Sequence, residues 1–245
     1  MDTAVPSVRI GEWFNEAWEI VRSAWLEYML TLVVYSLIMT ITGILCAPAV
    51  LLIGGPLTGG VYVYIAKRMV HQPAEVGDIF KGFRRYGPTT VLFLVIALVP
   101  IAGMVLLMLM LVLPALGGPH SIVSGILGTL SCIGCCMICT FFLVYPVIVG
   151  TFLIFAFPLV LFRNMGVIDA IRTSVDLVKP QFLNFLMLLL AQTIILLAAS
   201  SVGAALFVVG YLILQPLAMA IVLAVHLLAY RDFVGLTADD LALYR

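Results

Sequence analysis

Three stretches of this sequence, residues 28–66, 86–162 and 180–230, contain no lysine, arginine, aspartate or glutamate; they run for 39, 77 and 51 residues. Charged residues make up only 10% of the chain against 64% hydrophobic ones, and the mean hydropathy is +1.24. A water-soluble domain is excluded, because too little polar surface would remain to cover its core. The 12 basic and 12 acidic residues balance, so the electrostatic footprint of a nucleic-acid binder is missing. Hydrolase and kinase signatures are missing as well: no GxSxG elbow, no HExxH pair and no phosphate loop occurs. No acid or base falls deep inside an apolar run, which counts against proton or sodium coupling. The chain reads as non-enzymatic, with no cofactor implied.

What is present is a pattern of oil and water. An apolar helix needs about 20 residues to cross the hydrocarbon, so each uncharged run can go out and return. The charges gather in four clusters, Asp2–Glu27, Lys67–Arg85, Arg163–Lys179 and Arg231–Arg245. Lysine and arginine of short loops stay on the cytoplasmic side, which places all four clusters, and both ends of the sequence, inside. The first 23 residues carry four acids before any apolar run, unlike a secretory signal. The expected fold is an all-α polytopic membrane bundle forming one domain. Six spans are predicted, at about 25–46, 48–68, 88–113, 122–150, 182–204 and 208–230. The middle run is long enough for four tight crossings, so an eight-span count stays open there.

Each cluster that precedes an apolar hairpin has helical periodicity. In the first, Ile10, Trp13, Phe14, Ala17, Trp18, Val21 and Trp25 oppose Glu12, Asn15, Glu16, Glu19 and Arg22. In the second, Val76, Ile79, Phe80 and Phe83 oppose Asp78, Lys81, Arg84 and Arg85. In the third, Ile168, Ile171, Val175 and Val178 oppose Asp169, Arg172, Thr173, Asp176 and Lys179. Such helices lie in the headgroup plane with the apolar stripe facing the lipid, where tryptophan is favoured. The three align. Glu12, Asp78 and Asp169 sit in first turns, where a negative charge suits the helix dipole, and Phe14, Phe80 and Ile171 follow two residues later. Pro88 and Pro180 restart the chain as a membrane helix. Gly55-Pro56-Leu57 matches Gln215-Pro216-Leu217. An in-plane helix followed by a hairpin, used three times (about 8–70, 74–162 and 166–232), is the expected internal repeat.

The third unit carries a resemblance. The segment from Phe155 to Phe162, with Pro158-Leu159-Val160 inside it, is followed by Gly166 and by Ala170-Ile171-Arg172-Thr173-Ser174-Val175-Asp176-Leu177-Val178-Lys179. This pattern resembles the membrane domain of the bacterial glycerophosphodiester phosphodiesterase membrane-domain family and its relatives, well over 155 to about 232 and loosely before. The resemblance implies a multi-helix protein of the bacterial inner membrane. Some members append a soluble phosphodiesterase domain, none of whose residues lies in this sequence, so no catalytic residue is implied.

Four features remain as candidate chemistry. Cys132, Cys135, Cys136 and Cys139 share one helical face and would suit a soft metal. The same face, extended by Gly125 and Gly128, also reads as a small-residue packing stripe, and buried thiols in apolar surroundings stay inert. Gln192 and Gln215 are amides in the last hairpin, expected to bond between helices or to line a polar cavity. His226 precedes Arg231 by five residues and is expected near the inner interface. Gly54, Gly55, Gly59 and Gly60 read as a close helix contact. The expected role is a scaffold or accessory subunit whose partners are membrane lipid or other membrane subunits, recognised through the in-plane helices. A transporter or channel for a small apolar or amphiphilic solute is the alternative.

Overall fold

The computed structural model describes residues 7–112, 134, 144–145, 147–205 and 207–244. Every regular element among them is helical, and no strand occurs among the described residues. The chain begins with α1 (Ile10–Ser23), turns at Ala24 into α2 (Trp25–Leu45), and returns through Cys46 as α3 (Ala47–Met69). At 1.5 Å per residue, α2 is about 32 Å long, the thickness of a bilayer's hydrocarbon. A 3-10 segment, Val76–Arg85, leads into α4 (Tyr86–Val112). After residue 147 come α5 (Ala156–Phe162), α6 (Val167–Val178), α7 (Phe182–Ala205), α8 (Phe207–Val234) and a closing 3-10 turn, Asp239–Tyr244. Among the described residues, five helical stretches are long and apolar enough to cross a membrane. Most of the predicted span 122–150, and with it Cys132, Cys135, Cys136 and Cys139, lies outside the described residues.

The helices sort into inner and outer ones. The apolar windows of α3 and α8 are 67% and 61% buried, whereas that of α2 is 17% buried. Outer faces show a continuous apolar stripe; on α7 it runs Leu183, Met187, Leu190, Ile194, Leu197, all exposed. In water that stripe would drive aggregation, and in lipid it is the solvated surface. Each in-plane element leans on a returning helix: α1 on α8, the 3-10 segment on α3, and α6 on α5.

This docking corrects one expectation and sharpens another. The apolar face of α1 does not lie on lipid as a unit. Trp13, Ala17 and Val21 are fully buried against protein, while Trp18 is 48% exposed and Trp25, which opens α2, is 53% exposed. The second in-plane element is a 3-10 helix rather than an α-helix. Three residues per turn put Val76, Ile79, Gly82 and Arg85 in one row, which lets Ile79 and Gly82 settle on α3. Phe80 and Phe83 fall in another row and remain exposed.

Helix breaks are repaired by hydroxyls. Pro56 lies inside α3 and has no N–H to offer the carbonyl of Leu52; the Thr90 hydroxyl of α4 donates to that carbonyl at 3.0 Å. Ahead of α5 the chain turns at Ile154-Phe155. The buried Ser174 hydroxyl accepts the Phe155 N–H at 3.2 Å and donates to the Phe152 carbonyl at 2.6 Å. Ser174→Ala leaves both buried groups unpaired and is expected to cost about 1–3 kcal/mol. Unfolding in detergent measures it, and a cost near zero would mean that another donor takes over.

The end of the chain folds back as a strap. Arg163 donates to the carbonyls of Val234 and Gly235 (3.1 and 3.3 Å), Arg84 donates to that of Leu243, and the Tyr244 hydroxyl donates to that of Leu161 at 3.0 Å. Burial pushes the Tyr244 phenol up to about 12, against the pull of Arg85 and Arg84. A raised phenol binds its proton more tightly when docked than when free. The strap's stability is therefore fully present below pH 10 and is lost progressively as pH rises toward about 12. Alkaline titration followed by phenolate absorbance should show one late-titrating phenol fewer in Tyr244→Phe than in the native chain.

Candidate functional site

The four charged clusters meet at one end of the bundle. Arg9 and the Trp13 indole N–H both donate to the Asp232 carboxylate, at 2.6 and 2.9 Å, and Arg231 pairs with Glu16 and Asp232. These contacts join the first cluster to the last. Glu27 pairs with Arg68, joining the first to the second. Arg85 approaches the Val160 carbonyl beside the third cluster, and Arg163 pairs with Asp240, joining the third to the last. Ion pairs reach only a few ångströms, so charges far apart in sequence that pair in this way must share an end.

The most buried pair in this belt lies between α3 and the 3-10 segment. Lys67 Nζ donates to both Asp78 oxygens at 3.0 and 3.1 Å, Lys81 adds a contact at 2.7 Å, and the Glu75 N–H donates to Asp78 at 3.0 Å. By contrast, Arg172 and Lys179 are exposed on and just after α6, and Arg84, exposed as well, donates to the strap. Two clefts open here. One, of about 630 Å³, is lined by Glu16, Tyr28, Arg68, His71 and Arg231 among others; its neighbour, of about 690 Å³, is lined by Lys67, Glu75, Asp78 and Lys81.

Deeper in the apolar zone sits a second constellation. The Tyr62 hydroxyl and His226 Nδ1 are 2.9 Å apart, as are His226 Nε2 and Gln192 Oε1. An amide oxygen can only accept, so Nε2 carries the proton and Nδ1 accepts from Tyr62. The three side chains tie α3, α7 and α8 together. A cavity of about 210 Å³ borders them, lined by Tyr62, Ile96, Pro100, Tyr145 and His226 with apolar neighbours. Gln215 does not join Gln192. Its Oε1 accepts the Ser200 hydroxyl at 2.9 Å, a separate link between α7 and α8.

Sequence reasoning singled out His226 and Gln192 but missed Tyr62, their partner. A signal was available: Tyr62 precedes Lys67 by five residues just as His226 precedes Arg231, which sets both about 7.5 Å inside the charged end. Arg68 and Tyr28 were likewise not singled out as site residues. Among the described residues no group of three or more His, Cys, Asp or Glu side chains is gathered to hold a metal ion.

An all-helical bundle with five membrane-length apolar helices among the described residues, and its charges drawn to one end, is the make-up of a multi-pass membrane protein. No protein-family model, no curated protein and no solved structure matches the chain.

Proposed function

We propose that this chain is a non-enzymatic scaffold or accessory subunit of the bacterial inner membrane. Both termini lie on the cytoplasmic side, and the belt recognises membrane lipid or other membrane subunits. The carrying observation is the joined belt: four charged clusters, cross-linked through Asp232, Arg231, Arg68 and Arg163, share one end of the bundle. Similarity to the glycerophosphodiester phosphodiesterase membrane-domain family belongs to this proposal. So does the internal repeat, which two regularities support. Burial recurs at a constant offset of 157 positions: Trp13, Ala17, Val21, Tyr28 and Thr31 in the first unit, Ala170, Ser174, Val178, Phe185 and Leu188 in the third. The in-plane element of each unit also leans on a returning arm of another. Co-purification from membranes in mild detergent tests the role. Associated subunits are expected, and a chain that always emerges alone and monomeric speaks against it. Reporter fusions at residues 81–85 and 172–179 test the orientation, and opposite sides for the two would overturn it.

A second reading, a transporter or channel for a small apolar or amphiphilic solute, is favoured by the Tyr62–His226–Gln192 chain beside its cavity. Solute flux into proteoliposomes that falls with Tyr62→Phe would support it. Flux equal to that of protein-free vesicles would remove it.

A further inference from the structure

We propose that the cleft between α1, α2, α3 and α8 at the charged end is a binding site for a phosphate group at headgroup depth, with Arg68 as its principal ligand beside Arg231. This deepens the reading of the belt as a lipid-recognition surface and rests on it. The cleft holds about 630 Å³, room for a headgroup. Its ionic lining is Arg68, Arg231 and Glu16, with Glu27 and Asp232 paired to the two arginines from just outside it. Arg231 is already engaged by Glu16 and Asp232 and has fewer donors to offer.

Arg68 is different. Its Nη2 pairs with Glu27, a carboxylate 54% exposed to the surroundings, while its Nε is buried without a partner. An arginine with an idle N–H next to an exchangeable carboxylate is suited to a two-point grip on phosphate. Tyr28, which also lines the cleft, is 1% exposed, and its hydroxyl has no partner. Buried polar groups are nearly always satisfied, and here an idle phenol and an idle guanidine N–H stand at one cleft. His71 stands at the rim with φ +58, a strained backbone for a residue other than glycine. Arg68 is in the last turn of α3 and Tyr28 in the first turn of α2. The cleft is thus at the hydrocarbon boundary, where basic pockets between helices meet lipid phosphates.

The test uses the full chain in zwitterionic detergent, with thermal stability titrated separately by phosphatidylglycerol, phosphatidylcholine and inorganic phosphate. Phosphatidylglycerol is expected to stabilise more than phosphatidylcholine, and Arg68→Gln to weaken it about tenfold or more. Tyr28→Phe should weaken phosphatidylglycerol severalfold without lowering the stability of the lipid-free protein, because its hydroxyl has nothing to lose there. Val202→Ala, exposed at the uncharged end of α7, should bind as the native chain does. Stabilisation by inorganic phosphate, with the same loss in Arg68→Gln, would assign the site to a soluble anion. Stabilisation by phosphatidylglycerol alone would assign it to lipid. The proposal is overturned if neither anion stabilises, or if Arg68→Gln binds phosphatidylglycerol unchanged; should that variant not fold, unchanged binding by Tyr28→Phe has the same force. Partners that co-purify while neither anion binds would leave the scaffold reading standing and remove the phosphate site alone.

Discussion

Asp78→Ala is expected to lower stability by about 3–5 kcal/mol, the usual effect of removing one partner from a buried ion pair. The Asp78 side chain is 4% exposed and that of Lys67 is 7% exposed. Their contact is completed by Lys81 and by the Glu75 N–H. Truncating Asp78 leaves the Lys67 ammonium buried, facing a second lysine with no anion between them. The reverse change, Lys67→Met, leaves Asp78 with Lys81 and should cost less. The double variant Lys67→Met/Asp78→Leu should recover most of the loss, because well-packed apolar replacements of a buried pair are often neutral. The Arg231–Glu16 pair, with side chains 36% and 40% exposed, is expected to contribute about 1 kcal/mol or less. Denaturant unfolding in mild detergent measures all four. If Asp78→Ala lies within about 1 kcal/mol of the native chain, water reaches the pair and the seam between α3 and the 3-10 segment is not sealed.

The second large effect is steric. A Cβ added at Gly60 would lie 1.7 Å from the Ile79 carbonyl oxygen and 2.3 Å from its carbon. At Gly82 it would lie 2.0 Å from the Pro56 oxygen and 2.4 Å from the Gly60 nitrogen. These obstacles are backbone, which cannot rotate away as a side-chain tip can. Gly60→Ala must therefore push the 3-10 segment off α3, and with it the Lys67–Asp78 pair. A loss of about 3 kcal/mol or more is expected, at or beyond the upper range for overpacked cores. Gly77→Ala is the matched control, since nothing lies within 4 Å of its added Cβ; it should stay within about 0.5 kcal/mol. Equal effects for the two would refute the close backbone contact. Each change also reads on the clefts, because Lys67 and Asp78 line one and their neighbours Arg68 and Met69 line the other.

The small-residue run at Gly54–Gly60 was thus readable in advance as a contact, though its partner was not. The same division holds elsewhere. Period-four spacing predicts that α1 has an apolar face, yet Trp13 is sealed beside Asp232 while Trp18, on the same stripe, stays exposed. His226 stands out in the sequence as a lone imidazole in an apolar run. Its partners are 34 and 164 residues away, beyond the reach of any local pattern.

Composition and charge spacing alone determined that this chain forms membrane-length helices with ionic groups excluded from them. Both follow from a transfer free energy that each segment carries by itself, whatever its neighbours. The tertiary structure decided which faces meet: Gly60 on Ile79, Lys67 on Asp78, Tyr62 on His226, and Arg68 at an open cleft. Those choices depend on distances and angles between segments far apart in the chain. Between apolar helices in lipid, close fit and a few polar bonds select the partner, and neither can be counted along a sequence.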